Sequence, residues 1–169
     1  MLKSNLDSAI FGLIGVIVGG IITAGSNYFL ENRREKAVIN RESQNYAIEL
    51  RRAARLIDDD LSRAGAAAQI CINKRHWWST DAQPLTLDGW KQNREIIAAE
   101  LSDSDWLAVR IAIEAADNVR SSQVIGIESN ISKISDEVAE KIVPMLKDIE
   151  AGRFALAPFT TYNGKQKIK

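Results

Sequence analysis

The sequence predicts an all-α protein: one N-terminal transmembrane helix that continues into a long stalk helix, followed by a cytosolic antiparallel helical bundle. Residues 8–30 contain no Asp, Glu, Lys or Arg, and residues 31–73 contain no proline. No segment shows the alternation of polar and apolar residues that is typical of a β-strand. We therefore divide the chain into a short tail and transmembrane helix at 1–30, a helical domain at 31–152, and a flexible basic tail at 153–169.

The apolar run from Ser8 to Leu30 is the basis for the transmembrane prediction. As a helix it would be about 34 Å long, which is enough to cross a hydrocarbon core of roughly 30 Å. A cleaved signal peptide is the main alternative, because Thr23, Ala24 and Gly25 are small residues suited to a cleavage site. The run is longer than the apolar region of a typical signal peptide, so we favour a retained helix.

Small residues within this run fall on one face of the predicted helix. Such a face lets two membrane helices approach closely and gain van der Waals contact. The spacing of four and three residues predicts transmembrane self-association through Ser8, Gly12, Gly15, Gly19, Thr23 and Ser26.

Basic residues around the run predict its orientation. Lys3 alone precedes it, whereas Arg33, Arg34, Lys36 and Arg41 follow closely. Because cytoplasmic flanks are enriched in Lys and Arg, we expect the N-terminus outside and the C-terminal domain in the cytoplasm. The expected location is the inner (plasma) membrane of a bacterium.

Composition narrows the possible partners. The chain has 22 basic and 22 acidic residues, so its formal net charge is zero and a nucleic-acid partner is not expected. A single cysteine, Cys71, excludes an intramolecular disulfide and agrees with a reducing compartment. The expected partners are the lipid bilayer, further copies of the chain and a cytosolic protein.

The stalk helix carries a continuous apolar seam in its second half. Spacings that alternate between four and three residues are typical of helices that pack side by side. Small side chains in this seam favour close helix contact, within one chain or between chains. The seam consists of Leu50, Ala54, Ile57, Leu61, Ala64, Ala68 and Cys71.

Three further helices complete the predicted bundle. A loop at 74–88 precedes a helix that ends near residue 101, and Ser102 with Asp105 predicts the capped start of a helix over 103–120. Apolar spacing predicts a last helix from Ile127, kinked at Pro144 and stopped at Gly152.

Two groups of residues are candidate contact sites in the helical domain. His76, Trp77 and Trp78 predict either a plug at the end of the bundle, together with Trp90 and Trp106, or a partner or ligand surface. The arginines Arg51, Arg52 and Arg55 suit phosphate contact, although we favour a solvated helix face as their explanation. A lone histidine and a lone cysteine predict no metal site, and no catalytic residue or cofactor is expected.

These observations predict a non-enzymatic, single-pass membrane-anchored protein that self-associates and presents a cytosolic interaction domain. The alternative is an oligomeric pore-forming or membrane-disrupting effector of a defence or toxin type, gated by the cytosolic domain. A third possibility is a nucleotide-sensing module that uses the arginine face.

Overall fold

The computed structural model describes residues 2–77, 85–128 and 133–161, without the side chains of residues 2–18, 21 and 127. The described residues form four helices: α1 (Leu2–Lys74), α2 (Asp88–Ala98), α3 (Asp103–Glu128) and α4 (Asp136–Thr160). Over these ranges there is no strand, only an isolated bridge between His76 and Lys133. The all-α prediction is therefore confirmed. The chain divides into two compact units, Met1–Asn45 and Tyr46–Lys169.

The transmembrane prediction is wrong. In the part of the chain that the structure describes, no helix combines the length and the apolar character that a membrane crossing requires. The single-pass anchor, the pore-forming alternative, the inner-membrane location and the outside-to-cytoplasm orientation, all of which depended on that span, are wrong with it.

In the unit Met1–Asn45 the described residues are helical, and their described side chains are exposed except for the half-buried Asn32. Its contacts are local: the Arg33 guanidinium lies 4.5 Å from the centre of the Phe29 ring. In the small-residue face, Gly19, Thr23 and Ser26 are exposed. The remaining members, Ser8, Gly12 and Gly15, lie where side chains are not described. Contact between this face and another helix stays a prediction.

The core of the unit Tyr46–Lys169 is built on the seam of α1. All seven seam residues are buried, with exposed fractions of at most 1%. They pack with apolar side chains of α2, α3 and α4, including Ile97, Val109 and Ile149, in one cluster. Many members are alanines, which let helix backbones approach closely. The seam therefore forms part of this chain's own core, and a role between chains stays a prediction.

The start of α3 confirms the predicted cap. The backbone N–H of Asp105 donates to Ser102 Oγ at 3.2 Å, and the Ser102 hydroxyl donates to Asp105 Oδ2 at 2.7 Å. This reciprocal arrangement satisfies an amide that has no partner inside the helix. The far end differs from prediction, since α3 continues beyond Arg120 to Glu128.

The bounds predicted for the last helix are wrong at both ends. Helix α4 begins at Asp136 rather than Ile127, because Ser135 caps it by accepting from the Val138 N–H at 3.3 Å. It also continues through Gly152, which is buried against α3: a Cβ there would overlap the Ala112 side chain. That glycine permits close packing instead of ending the helix.

Candidate functional site

The end of α1 is set by Arg75. Its φ of 54° is the left-handed conformation in which helices commonly terminate. The Arg75 N–H donates to the Cys71 carbonyl at 3.1 Å, and its guanidinium donates to the Ile72 carbonyl at 3.0 Å. These bonds satisfy carbonyls that the helix leaves without partners. The chain therefore turns sharply just before His76 and Trp77.

Arg75 also fixes the approach to α4. Its carbonyl accepts from the Ile134 N–H at 2.8 Å, and its Nε lies 3.0 Å from Asp136 Oδ1. One backbone bond and one ion pair thus join the end of α1 to the residues that start α4. The result is that Trp77 lies beside the first turns of α4.

A cavity of about 450 Å³ lies between Trp77, the end of α3 and the start of α4. Its volume falls within the range of about 300–1,000 Å³ that is usual for sites that bind small molecules. Most of the wall is apolar. The lining residues are Trp77, Ser122, Ile125, Gly126, Lys133, Ile134, Ser135, Val138, Lys141, Ile142 and Met145.

Gly126 allows Trp77 to form one wall of this cavity. The glycine is buried in α3, and a Cβ at this position would overlap the Trp77 indole around Nε1. The indole therefore lies directly against the α3 backbone. Because interiors tolerate little added volume, any larger residue at this position would force the indole to move.

The described residues of the cavity lining include two charged side chains, and both are lysines. Lys133 and Lys141 are exposed, which places their ammonium groups within reach of water. Lys141 Nζ donates to Glu137 Oε1 at 2.7 Å, and this bond lowers the pKa of the Glu137 carboxyl. Cationic charge therefore lies beside an apolar wall.

A buried carboxylate lies elsewhere in the same unit, at the start of α2. Asp60 on α1 is 2% exposed and accepts from the Trp90 N–H at 3.2 Å. Its other oxygen accepts from Arg63 at 2.7 Å. Burial is the main influence on this group and raises the pKa of Asp60 above its ordinary value. Its neighbours Asp58 and Asp59 pair with Arg153 and Arg63. Because Asp60 on α1 accepts from the Trp90 N–H in the first turn of α2, it caps α2 from another helix.

The predicted aromatic group is only partly assembled. Trp77 is half-buried and lines the cavity, His76 is exposed, and Trp78 lies outside the described residues. Trp90 and Trp106 pack on each other with ring centres 5.2 Å apart. Of the group His76, Trp77 and Trp78, the residue that the structure brings to a candidate site is Trp77.

The predicted arginine group does not line the cavity. Arg55 Nε donates to the Thr160 carbonyl at the end of α4, at 3.0 Å. Arg52 is exposed and Arg51 is half-buried. A partner or ligand surface on these arginines stays a prediction. Over the described ranges, no three His, Cys, Asp or Glu residues are grouped closely enough to hold a metal ion.

Sequence reasoning missed most of the cavity. The periodic apolar residues Ile134, Val138, Ile142 and Met145 were recognisable as one face of the last helix. Their position opposite Trp77 was not, because it depends on Gly126 and on the bonds of Arg75, which join residues far apart in the chain.

Comparison of the chain with protein-family models, with curated proteins and with solved structures gave no match. The inference of function therefore depends on the physical properties of the described residues, above all on the cavity beside Trp77.

Proposed function

We propose that the unit Tyr46–Lys169 is a binding domain that takes up a small, largely apolar molecule in the cavity beside Trp77. The observation that carries this proposal is the cavity itself, about 450 Å³ in volume and walled mainly by Trp77, Ile125, Val138, Ile142 and Met145. Water in contact with such walls forms few hydrogen bonds. Each Å² of apolar surface removed from water contributes about 25 cal/mol, so an apolar ligand would be stabilised there.

The composition of the walls suits an apolar ligand of variable shape. The Trp77 indole offers a flat, rigid surface that loses little conformational freedom on binding. The Met145 side chain is unbranched and polarisable, so it adapts to irregular ligand surfaces. The bonds of Arg75 hold this geometry before a ligand arrives, which reduces the cost of ordering on binding.

Binding without chemical conversion is part of this proposal. Among the residues that the structure describes, those that line the cavity include no histidine, cysteine, aspartate or glutamate. The polar side chains present are two serines and two lysines, and Ser122 Oγ donates to the Asn118 carbonyl at 2.8 Å. This lining supplies no acid–base pair that would activate a serine hydroxyl.

Titration of the full chain with N-phenylnaphthylamine, an uncharged apolar dye that fluoresces when shielded from water, tests the proposal. Replacement of Ser122 by Phe adds a ring inside the cavity without removing a core residue. Neighbouring Ser121 is exposed and does not line the cavity, so Ser121→Phe is the matched control. We expect Ser122→Phe to weaken dye binding at least about tenfold, since a filled pocket loses its apolar contacts.

Saturable binding by the wild type and by Ser121→Phe, lost in Ser122→Phe, would support the proposal. Absence of saturable binding, or equal affinity in the two variants, would overturn it. Circular dichroism of each variant checks that its helix content is unchanged, because loosened cores also bind apolar dyes.

A further inference from the structure

We propose that the ligand of the Trp77 cavity carries one anionic group, held at the rim by Lys133 and assisted by Lys141. The ligand class is an apolar chain or ring bearing a single carboxylate or a similar anion. This inference rests on the proposed function, and adds to it the charge of the ligand and the residues that recognise it.

Charge at the rim is the first argument. Lys133 and Lys141 are the charged residues of the lining over the described ranges, and both are cationic. Two ammonium groups would repel a cationic ligand and would offer a neutral ligand no ionic contact. An anion placed between them gains charge-assisted hydrogen bonds, which are stronger than bonds between neutral groups.

The two lysines differ in whether an acidic side chain of the protein already binds them. Glu137 binds Lys141 at 2.7 Å, and Asp136 binds Arg75 at 3.0 Å. Among the described residues, Lys133 forms no salt bridge, so no described carboxylate competes with a ligand for its ammonium. An incoming anion must compete with Glu137 for Lys141 but not for Lys133, which makes Lys133 the principal contact.

The arrangement matches the two parts of an amphipathic molecule. Most of the described lining is apolar, so an apolar body would have apolar side chains to contact there. The exposed lysines would hold the anion at the surface, where it keeps part of its hydration and avoids the cost of burying a charge. A long, flexible lysine stem can follow anions attached to bodies of different length.

Two dyes of similar shape separate charge recognition from apolar binding. Anilinonaphthalene sulfonate is an anion, whereas N-phenylnaphthylamine is uncharged, and both would be titrated into the full chain. We expect Lys133→Met to weaken the anionic dye about tenfold and to change the uncharged dye by less than about twofold, because the ion contact alone is lost. Lys147→Met on α4, exposed and outside the cavity lining, is the matched control and should leave both dyes unchanged.

Decanoate and decanol extend the test to ligands of the proposed class. Each would displace bound N-phenylnaphthylamine, and decanoate should be at least about fivefold more effective at low salt. That advantage should shrink in high salt, because exposed charges are screened. In Lys133→Met the two competitors should become nearly equal.

The outcomes distinguish this inference from the proposed function. Loss confined to the anionic ligands in Lys133→Met supports it. If the uncharged dye binds in a way that Ser122→Phe abolishes, while Lys133→Met leaves both dyes alone or weakens them equally, the anion inference fails and apolar binding stands. If neither dye binds the wild type, both fail.

Discussion

Helices α2 and α4 start in contrasting ways within the same unit. At the start of α2, Asp60 reaches over from α1 and accepts from the Trp90 N–H, while being 2% exposed itself. At the start of α4, Ser135 caps its own helix and Glu137 pairs with Lys141 at the exposed surface. The first start is capped by a carboxylate from another helix, and the second is capped by its own serine beside the Trp77 cavity.

The pKa shifts of the carboxyl groups at the two helix starts have opposite signs. Burial raises the pKa of Asp60, even though Trp90 and Arg63 act in the opposite direction. At α4, the hydrogen bond and charge of Lys141 lower the pKa of Glu137. The Asp60 carboxylate is thus held in place at an energetic cost, whereas the α4 start gains a little from its charges.

The comparison assigns a structural role to the α2 start and a ligand-binding role to the α4 start. The α2 start uses its polar groups to close the contact with α1. The α4 start leaves apolar surface on Val138 and Ile142 facing a cavity, with lysines at its rim. We therefore expect changes at Asp60 to affect stability, and changes around Trp77 to affect binding.

The largest effect is expected from Asp60→Ala. This change leaves the Trp90 N–H and the Arg63 guanidinium without their buried acceptor, which should reduce the free energy of unfolding by about 2–3 kcal/mol. Asp60→Asn keeps an acceptor for Trp90 and should cost less. Urea denaturation measures both.

Asp59→Ala is the matched control for this prediction. Its carboxylate is 67% exposed and forms a 3.3 Å pair with Arg63, so a change below about 0.5 kcal/mol is expected. Equal losses for Asp59→Ala and Asp60→Ala would show that the buried cap does not stabilise the junction.

A smaller effect on stability is expected from Gly126→Ala. The added methyl overlaps the Trp77 indole and must displace it, at a cost of about 1–2 kcal/mol. Displacement of one cavity wall should also weaken binding of N-phenylnaphthylamine. Thermal unfolding and dye titration measure the two consequences.

Gly65→Ala serves as the comparison, because its new Cβ would meet Ile149 at an ordinary 3.5 Å. In a helix interior this change should be neutral or stabilising by up to about 1 kcal/mol. Unchanged dye binding in Gly126→Ala would contradict the position assigned to Trp77.

The smallest effects concern pH and have opposite signs at the two starts. A carboxyl whose pKa is raised by folding binds its proton more tightly in the folded state. The free energy of unfolding therefore falls as the pH rises above the ordinary pKa of the carboxyl, and it levels off above the raised pKa of the folded state. The stability of the wild type relative to Asp60→Asn should therefore decrease from about pH 4 upward. For Glu137 the pKa is lowered by folding. The extra stability of the wild type relative to Glu137→Gln should therefore be present above the ordinary pKa of a glutamate and should be lost on acidification.

Urea denaturation at a series of pH values measures both differences. Parallel pH profiles for the two pairs would contradict the contrast between the helix starts. Added salt should reduce the Glu137 difference more than the Asp60 difference, because exposed charges are screened more strongly than buried ones.

Local sequence signals predicted much of the fold. The heptad spacing of the Leu50 to Cys71 seam indicated a buried stripe, and Ser102 with Asp105 marked the start of α3. Both depend on residues close together in the chain. The apolar run at residues 8–30 was a weaker guide, since no described helix is long and apolar enough to cross a membrane.

Features that depend on distant residues could not be predicted. Apolar spacing from Ile127 onward suggested an early helix start, but Ile134 is bound to the distant Arg75 carbonyl and the helix starts at Asp136. The Ser135 cap at this start is local, so the sequence did contain that part of the signal. Gly152 resembled a stop signal and instead accommodates Ala112. The cavity could not be predicted either, because Gly126 and Trp77 are far apart in the sequence and come into contact only in the folded chain.

Methyl NMR spectra of the full chain with and without N-phenylnaphthylamine test the central claim most directly. We predict shifts at the Ile125, Ile142 and Met145 methyls, which line the cavity. No shifts are expected at Ile57, buried in the core, or at Ile39, exposed on α1. Shifts concentrated at Ile39, or spread evenly over the core, would contradict a ligand site beside Trp77.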